Sequence, residues 1–193
     1  VLGLKSKTVR LEPYNEKWAS FFQIEKEKLS KALKNFDVDI QHIGSTAIIG
    51  CRAKPIIDIA VGLPNLEYGQ QLIPIFESIG YIYSPDANFR VRWYFKKITQ
   101  DLTTHFIHVV GRDSRIWQNH IVFRDYLNEK PELVIEYSKF KEQSAKGNEN
   151  NRALYGLLKD PFIESTIVKA LTEKNIERAG EDYKIPNELS QIH

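Results

Sequence analysis

The chain of 193 residues contains one cysteine, Cys51, and no methionine. A single cysteine excludes an intramolecular disulfide and fits a reducing compartment. Cys51 itself reads as a small buried residue. No apolar run approaches the length needed to cross a bilayer and no signal-peptide pattern is visible, so no membrane partner is expected and the cytoplasm is the expected compartment. Charge of one sign is not in excess either. The 27 Lys and Arg against 25 Asp and Glu leave a formal +2, too little to argue for a nucleic-acid partner. Repeats and low-complexity tracts are lacking. What remains, 42% apolar and 27% charged residues, is ordinary for a soluble globular protein and enough for one core with a helical appendage.

The most informative stretch runs from Val38 to Leu63. Val38–Ile43 alternates apolar and polar residues and then meets Gly44-Ser45. Pro55–Leu63 is a nearly continuous apolar run rich in Ile and Val, the pattern of a strand covered on both faces. Asp58 stands inside it. An ionised carboxylate in such a strand must find a cation, a metal or hydrogen-bond donors. Two readings follow for Asp58: a structural ion pair with an arginine, or a ligand for Mg²⁺, which takes hard oxygen donors and substrate phosphates.

Around this stretch the periodicities place the other elements. Thr8–Leu11 alternates briefly and suggests an edge strand. A helix starts after Asn15 and runs to about Asn35, with Trp18, Phe21, Phe22, Leu29, Ala32 and Leu33 on one face and Glu25 interrupting it. Asn65 caps a further helix to about Ile79, kinked or delayed by Pro74. Phe89–Ile98 and Thr104–Val110 read as strands. Asp113 or Ser114 caps a helix through Leu127, and Pro131 opens another that ends near Gly147. A further helical pattern from about Glu149 is interrupted at Asp160-Pro161, and the last helix ends near Gly180. Strands in the first 110 residues and helices after them give an α+β fold: a small mixed sheet with helices on one face, then a C-terminal helical region. We divide the chain into a core over 1–127, a helical region over 128–180 and a fraying tail over 181–193.

His42-Ile-Gly-Ser-Thr-Ala followed by Ala53-Lys-Pro-Ile-Ile-Asp resembles the central motif of the GrpB family. Glu12-Pro-Tyr-Asn, Phe123-Arg-Asp-Tyr-Leu, and Arg152 with Tyr155 and Lys159 add to the resemblance, which covers roughly residues 9 to 170. That family in turn resembles the nucleotidyltransferase superfamily of the DNA polymerase β type. The resemblance implies a nucleotidyltransferase-like sheet in which a Gly-Ser turn precedes an acidic, metal-binding strand. It implies an enzyme moving a nucleotidyl or phosphoryl group from a nucleotide, with Mg²⁺. In some relatives a GrpB-like domain is joined to a dephospho-coenzyme A kinase, which makes a non-catalytic nucleotide- or coenzyme A-binding module the alternative.

On this reading Gly44 and Ser45 hold phosphate through free amides and a hydroxyl, against the plain reading of a turn and helix cap. Asp58 is the catalytic group and metal ligand. Lys54, Arg92, Arg152, Tyr155 and Lys159 complete a basic phosphate-binding set; the last three of them, at i, i+3 and i+7, share a helix face. Arg90 and Arg92 share a strand face, and Arg92 is the better candidate for a planar clamp on phosphate. His108 is a candidate general base if it faces Asp58, with His42 and His105 as possible site walls. In a regular strand His105 and His108 face opposite sides. Arg124 and Asp125, being adjacent on a helix, are expected to pair with other elements. The chain departs from the superfamily where a second carboxylate usually stands two residues from the first. Its neighbours there are Ile56 and Ala60, and a two-ion mechanism needs more oxygen ligands than Asp58 supplies.

Overall fold

The first helix, α1 (Lys17–Ala32), is held against the sheet by Trp18, Phe22 and Leu29, all buried. Asn15 Oδ1 accepts the Lys17 amide, and the helix stops at Ala32, three residues earlier than the pattern suggests, with Leu33 as its C-cap. Glu25, which breaks the apolar stripe, is buried with partners: its carboxylate accepts from Lys97 Nζ at 2.7 Å and from the Tyr81 hydroxyl at 3.0 Å. A buried carboxylate so bonded ties α1 to two strands instead of weakening the core.

The computed structural model describes residues 2–84, 91–182 and 185. Five strands follow α1: β1 (Asp39–Ile43), β2 (Ile57–Leu63), β3 (Tyr81–Tyr83), β4 (Trp93–Thr99) and β5 (Leu102–Gly111). They form one sheet in the order β1-β2-β5-β4-β3, with β2 and β5 parallel and the other neighbours antiparallel. Between β2 and β3 the expected helix divides. A 3₁₀ segment, Leu66–Leu72, is capped by Asn65 and leads into α2 (Ile73–Ser78), whose first turn holds Pro74. The proline is tolerated there because a first-turn amide has no intrahelical acceptor. The β4–β5 hairpin turns on Gln100 and Asp101, both at positive φ, the backbone that a two-residue turn between twisted strands requires.

Register sorts the side chains. Ile57, Ile59, Val61, Ile107, Val109, Trp93 and Phe95 join the core beneath α1 and α2. Asp58 pairs with Phe106 and Ala60 with His108 on the other face. That face is met by the C-terminal helices α3 (Arg115–Asn128), α4 (Pro131–Ala145) and α5 (Arg152–Glu173). Gly62 makes room for it: a Cβ there would lie 2.8 Å from the Trp117 ring of α3. Ile48, Cys51, Phe123, Leu127, Tyr137 and Ile167 form a second core between these helices and the loop after β1.

Three readings are corrected. Thr8–Leu11 is not a strand; single bridges flank it, at Leu4–Thr103 before it and Glu12–Ala53 after it. Asp160-Pro161 does not interrupt α5, which runs through Pro161. The proline lies on the exposed side, so the missing bond is solvated, while Tyr155, Ile167, Ala170 and Leu171 hold the helix from within. That helix ends at Glu173, not near Gly180. Asn175 at φ 51° sends its amide to Thr172 O and the Ile176 amide returns to Leu171 O, the left-handed stop that Asn can supply. Within the stretch expected to fray, Asp182 Oδ1 accepts the Ile116 amide and Ile185 is 3% exposed. The strand expected from Phe89 is seen from Trp93; Phe89 and Arg90 lie outside the described residues.

Candidate functional site

β1 delivers the chain to Gly44, at φ 71°, and then to a single 3₁₀ turn, Ser45–Ala47. Glycine is required twice. The φ is strained for other residues, and a Cβ would stand 2.7 Å from Asp58 Oδ2. The turn thus closes directly over the Asp58 carboxylate. Asp58 and Gly44-Ser45 border a cavity of about 520 Å³. Its floor is the sheet face of β2, β5 and β4, and its walls are α3, α5 and Tyr137 of α4.

Asp58 keeps 31% of its side-chain surface, open to this cavity. Burial pushes its pKa up, but the Nε2–H of His108 directed at it and the charges of Lys54 and Lys159 pull harder, and the net shift is downward. His108 stands beside it, Nε2 to Oδ1 at 3.6 Å. Its other nitrogen, Nδ1, is 2.7 Å from Arg92 Nη1. A guanidinium only donates, so Nδ1 accepts and the ring proton sits on Nε2, directed at Asp58. Burial and the Arg92 charge depress the pKa of His108 while Asp58 raises it, the net being downward. In this arrangement His108 orients Asp58. Its Nε2 carries no free lone pair for base or metal chemistry.

The cations form a second group. Lys54 Nζ and Lys159 Nζ both face the Tyr155 ring, at 5.5 and 4.7 Å from its centre. Among the described residues neither has a carboxylate partner. Desolvation, with the charges of Lys159 and Arg152, brings the pKa of Lys54 down to about 7. Desolvation lowers that of Lys159 as well. Arg152 borders the same space and lies 5.9 Å from the Phe106 ring, but two of its three nitrogens are committed to backbone: Nε and Nη2 to Thr8 O, Nη2 also to Lys5 O.

The structure therefore gathers Gly44, Ser45, Lys54, Asp58, His108, Arg152, Tyr155 and Lys159 around one cavity, with Arg92 joined through His108. His42 and His105 are not in its wall. His42 pairs with Ile59 and His105 with Ile57, so both project from the opposite face. There His42 stacks on Phe22 and bonds Thr46 Oγ1, and His105 bonds Thr104 Oγ1. Burial takes the pKa of each to about 4, so both are neutral core residues. Arg124 and Asp125 do meet, Nε to Oδ1 at 2.7 Å, because the long arginine folds back along the helix; its Nη1 then holds His42 O and Gln41 Oε1 of β1.

Sequence reasoning missed the contribution of α3. Ile116, Asn119, His120 and Phe123 all border the cavity. Their i, i+3, i+4, i+7 spacing is the inward stripe of an amphipathic helix, and two polar residues in the middle of it were the available signal. Burial, with His108 and Arg92 nearby, takes the pKa of His120 to about 3. Tyr94 and Phe106, stacked at 5.2 Å, add an aromatic edge.

The donor set does not fit a two-ion centre. Among the described residues no three His, Cys, Asp or Glu side chains are grouped to hold a metal, Ala60 occupies the place of a second carboxylate, and His108 Nε2 is protonated. Asp58 can at most share an ion with oxygens brought by a ligand.

Comparison with known proteins agrees with this architecture. The family model described as GrpB protein matches residues 8–169. The glutamate-rich protein GrpB of Alkalihalophilus pseudofirmus is 34% identical over 171 residues, covering 86% of this chain and 98% of that protein. The crystal structure of GrpB from Enterococcus faecalis superposes with a TM-score of 0.77 at 31% identity, over 86% of this chain and 99% of that one. Terminal uridylyl transferase 4 from Trypanosoma brucei, in a structure with dUTP bound, gives a TM-score of 0.55 at 11% identity, over 92% of this chain and 65% of that one. This last likeness is one of fold alone. Model, relative and crystal structure together place the chain in the GrpB family.

Proposed function

We propose that the cavity binds a nucleotide, with its phosphates between the Gly44-Ser45 turn and the two lysines. One observation carries this reading: Lys54 and Lys159 stand together on the Tyr155 ring without a carboxylate partner. Desolvation of the two ammonium groups outweighs the compensation that Asp58 and Asp160 give them, and an entering anion relieves it. The ionised Asp58 next to them fits a ligand whose phosphates bring Mg²⁺, since that ion keeps most of its shell from phosphate and water. Nucleotidyl or phosphoryl transfer is the second reading. It is favoured by Asp58, ionised, directly behind the Gly-Ser turn of a nucleotidyltransferase-like fold, a fold-level analogy. The single carboxylate and the tautomer of His108 favour binding over transfer.

Thermal denaturation with nucleoside triphosphates, monophosphates, coenzyme A and dephospho-coenzyme A, each with and without Mg²⁺, tests the proposal. A ligand at a hundred times its Kd stabilises by about 2.7 kcal/mol, which for a domain of this size raises the Tm by roughly 5–11 °C. The expected result is a shift with triphosphates that Lys159→Ala reduces by half or more. Asp58→Asn should leave the fold intact, because Asp58 has no arginine or lysine salt bridge to break; a loss near the roughly 3–5 kcal/mol of a broken buried pair would make Asp58 structural. A Mg²⁺-dependent shift lost in Asp58→Asn, with pyrophosphate released, would establish transfer. A metal-independent shift with coenzyme A would establish the binding module for that ligand. Absence of any shift at millimolar ligand would refute nucleotide binding.

A further inference from the structure

The inward stripe of α3 holds two polar atoms that the protein leaves unsatisfied. Asn119 Oδ1 and His120 Nε2 are buried and have no hydrogen-bond partner among the described residues. The two residues are consecutive on α3 and border the cavity, while the two atoms lie just beneath its surface, so a turn of each side chain brings them to a ligand. Such orphans are few in folded proteins, and each is destabilising unless something outside the protein satisfies it. Their positions are fixed on both sides. The Trp117 ring lies over Gly62, and Phe123 packs in the second core with its ring against Tyr137.

The surroundings define what would meet them. Ile116 and Phe123 flank the pair on α3, and Ile163 and Ile167 border the cavity from α5. The lining here is apolar on either side of the polar pair, with Asp160 and Glu164 of α5 also at its border. Its position relative to the phosphate end follows from contacts. His120 lies edge-on to His108 at 5.5 Å between centres, and His108 faces Asp58. The field of Asp58 in turn reaches Lys54 and Lys159. Asp58 is thus coupled to both the lysine pair and His120, and all of them line one cavity that a single ligand can span.

We propose that Asn119 and His120 form a nucleobase-reading subsite, with Asn119 Oδ1 accepting an N–H from the edge of a planar heterocycle and His120 Nε2 completing the pattern. This deepens the nucleotide reading above and rests on it for the position of the phosphates. The apolar lining would hold the faces of the ring and the polar pair would read its edge. A site that hydrogen-bonds a buried edge rejects ligands lacking that group more strongly than an apolar pocket rejects a change in size.

The test uses the full chain and three classes of probe: tripolyphosphate, the four nucleoside triphosphates, and the corresponding free nucleosides, titrated by calorimetry. The expected result is unequal affinity among the four bases. In Asn119→Ala and His120→Ala the preferred base loses about tenfold and the preference collapses, while tripolyphosphate affinity is unchanged. Asn119→Leu controls for folding. If Asn119 is an orphan kept for a ligand, this variant melts no lower than the wild type and still loses base preference; a lower Tm would assign Asn119 a structural role and overturn the proposal. Equal loss for all four triphosphates and tripolyphosphate would overturn it too, as would equal affinity for the four bases in the wild type. Should tripolyphosphate fail to bind while a nucleoside binds in an Asn119-dependent manner, the phosphate reading falls and the base subsite stands.

Discussion

Lys54 shows how one side chain links the empty and occupied states of the cavity. Desolvation and two neighbouring cations hold its pKa at about 7, against about 10.4 in an unfolded chain. Below pH 7 it is charged in both states, and the folded protein bears the full penalty of that charge. Between the two values the unfolded chain binds the extra proton, so stability rises with pH. Lys54→Met removes the penalty, and its Tm should exceed that of the wild type at pH 6, the gap closing as pH approaches 10. A gap that is constant with pH, or of the opposite sign, would mean that Lys54 is charged and already compensated in the native state. Bound phosphate should reverse the sign by supplying the missing anion, so affinity should fall as pH rises above 7. At this scale the sequence spoke clearly for Asp58 and Gly44, because a carboxylate in an apolar strand and a glycine after a strand each need a special explanation. It could not reveal that His108 has its proton fixed by Arg92, since that depends on a 2.7 Å contact between β5 and the residue just before β4.

Elements were readable where one local rule decided them. Strand alternation put His105 and His108 on opposite faces, and Pro131 and Ser114 marked helix starts. The reading failed where packing overrides local chemistry. Pro161 looks like a break, yet α5 continues because its inner face is held on both sides of the proline. The same reasoning gives a prediction. An interior proline costs a helix about 3 kcal/mol relative to alanine, while replacing it adds unfolded-state entropy worth about 0.4–1 kcal/mol. Pro161→Ala should therefore stabilise the protein by roughly 2 kcal/mol, raising the Tm by about 4–8 °C. Differential scanning calorimetry measures this directly. A fall in Tm would show that α5 depends on the bend which proline imposes, and with it the placement of Lys159 two residues away.

At the scale of the whole molecule, the cavity exists because the C-terminal helices are fastened across the sheet by the start of the chain. Val9 N donates to Glu149 O and Arg152 N to Lys7 O, while Gly3 N reaches Pro55 O and Leu4 exchanges bonds with Thr103. Arg152 fastens this strap with its side chain as well, through the carbonyls of Lys5 and Thr8. No local pattern announces contacts between residues 144 positions apart, and so Arg152 reads from sequence as one more ligand-facing cation beside Lys159. The structure separates the two. Arg152→Ala removes charge-assisted bonds and should destabilise by about 1.5–3 kcal/mol, with affinity for a triphosphate reduced only as far as the strap loosens. Lys159→Ala removes a desolvated charge that Asp58 and Asp160 only partly offset; it should leave stability unchanged or higher and weaken the triphosphate by at least tenfold. Urea denaturation and ligand titration on both variants give four numbers. If instead Arg152→Ala binds as weakly as Lys159→Ala while unfolding at the wild-type urea concentration, its guanidinium leaves the strap for the ligand, and binding itself rearranges the fastening between the two ends of the chain.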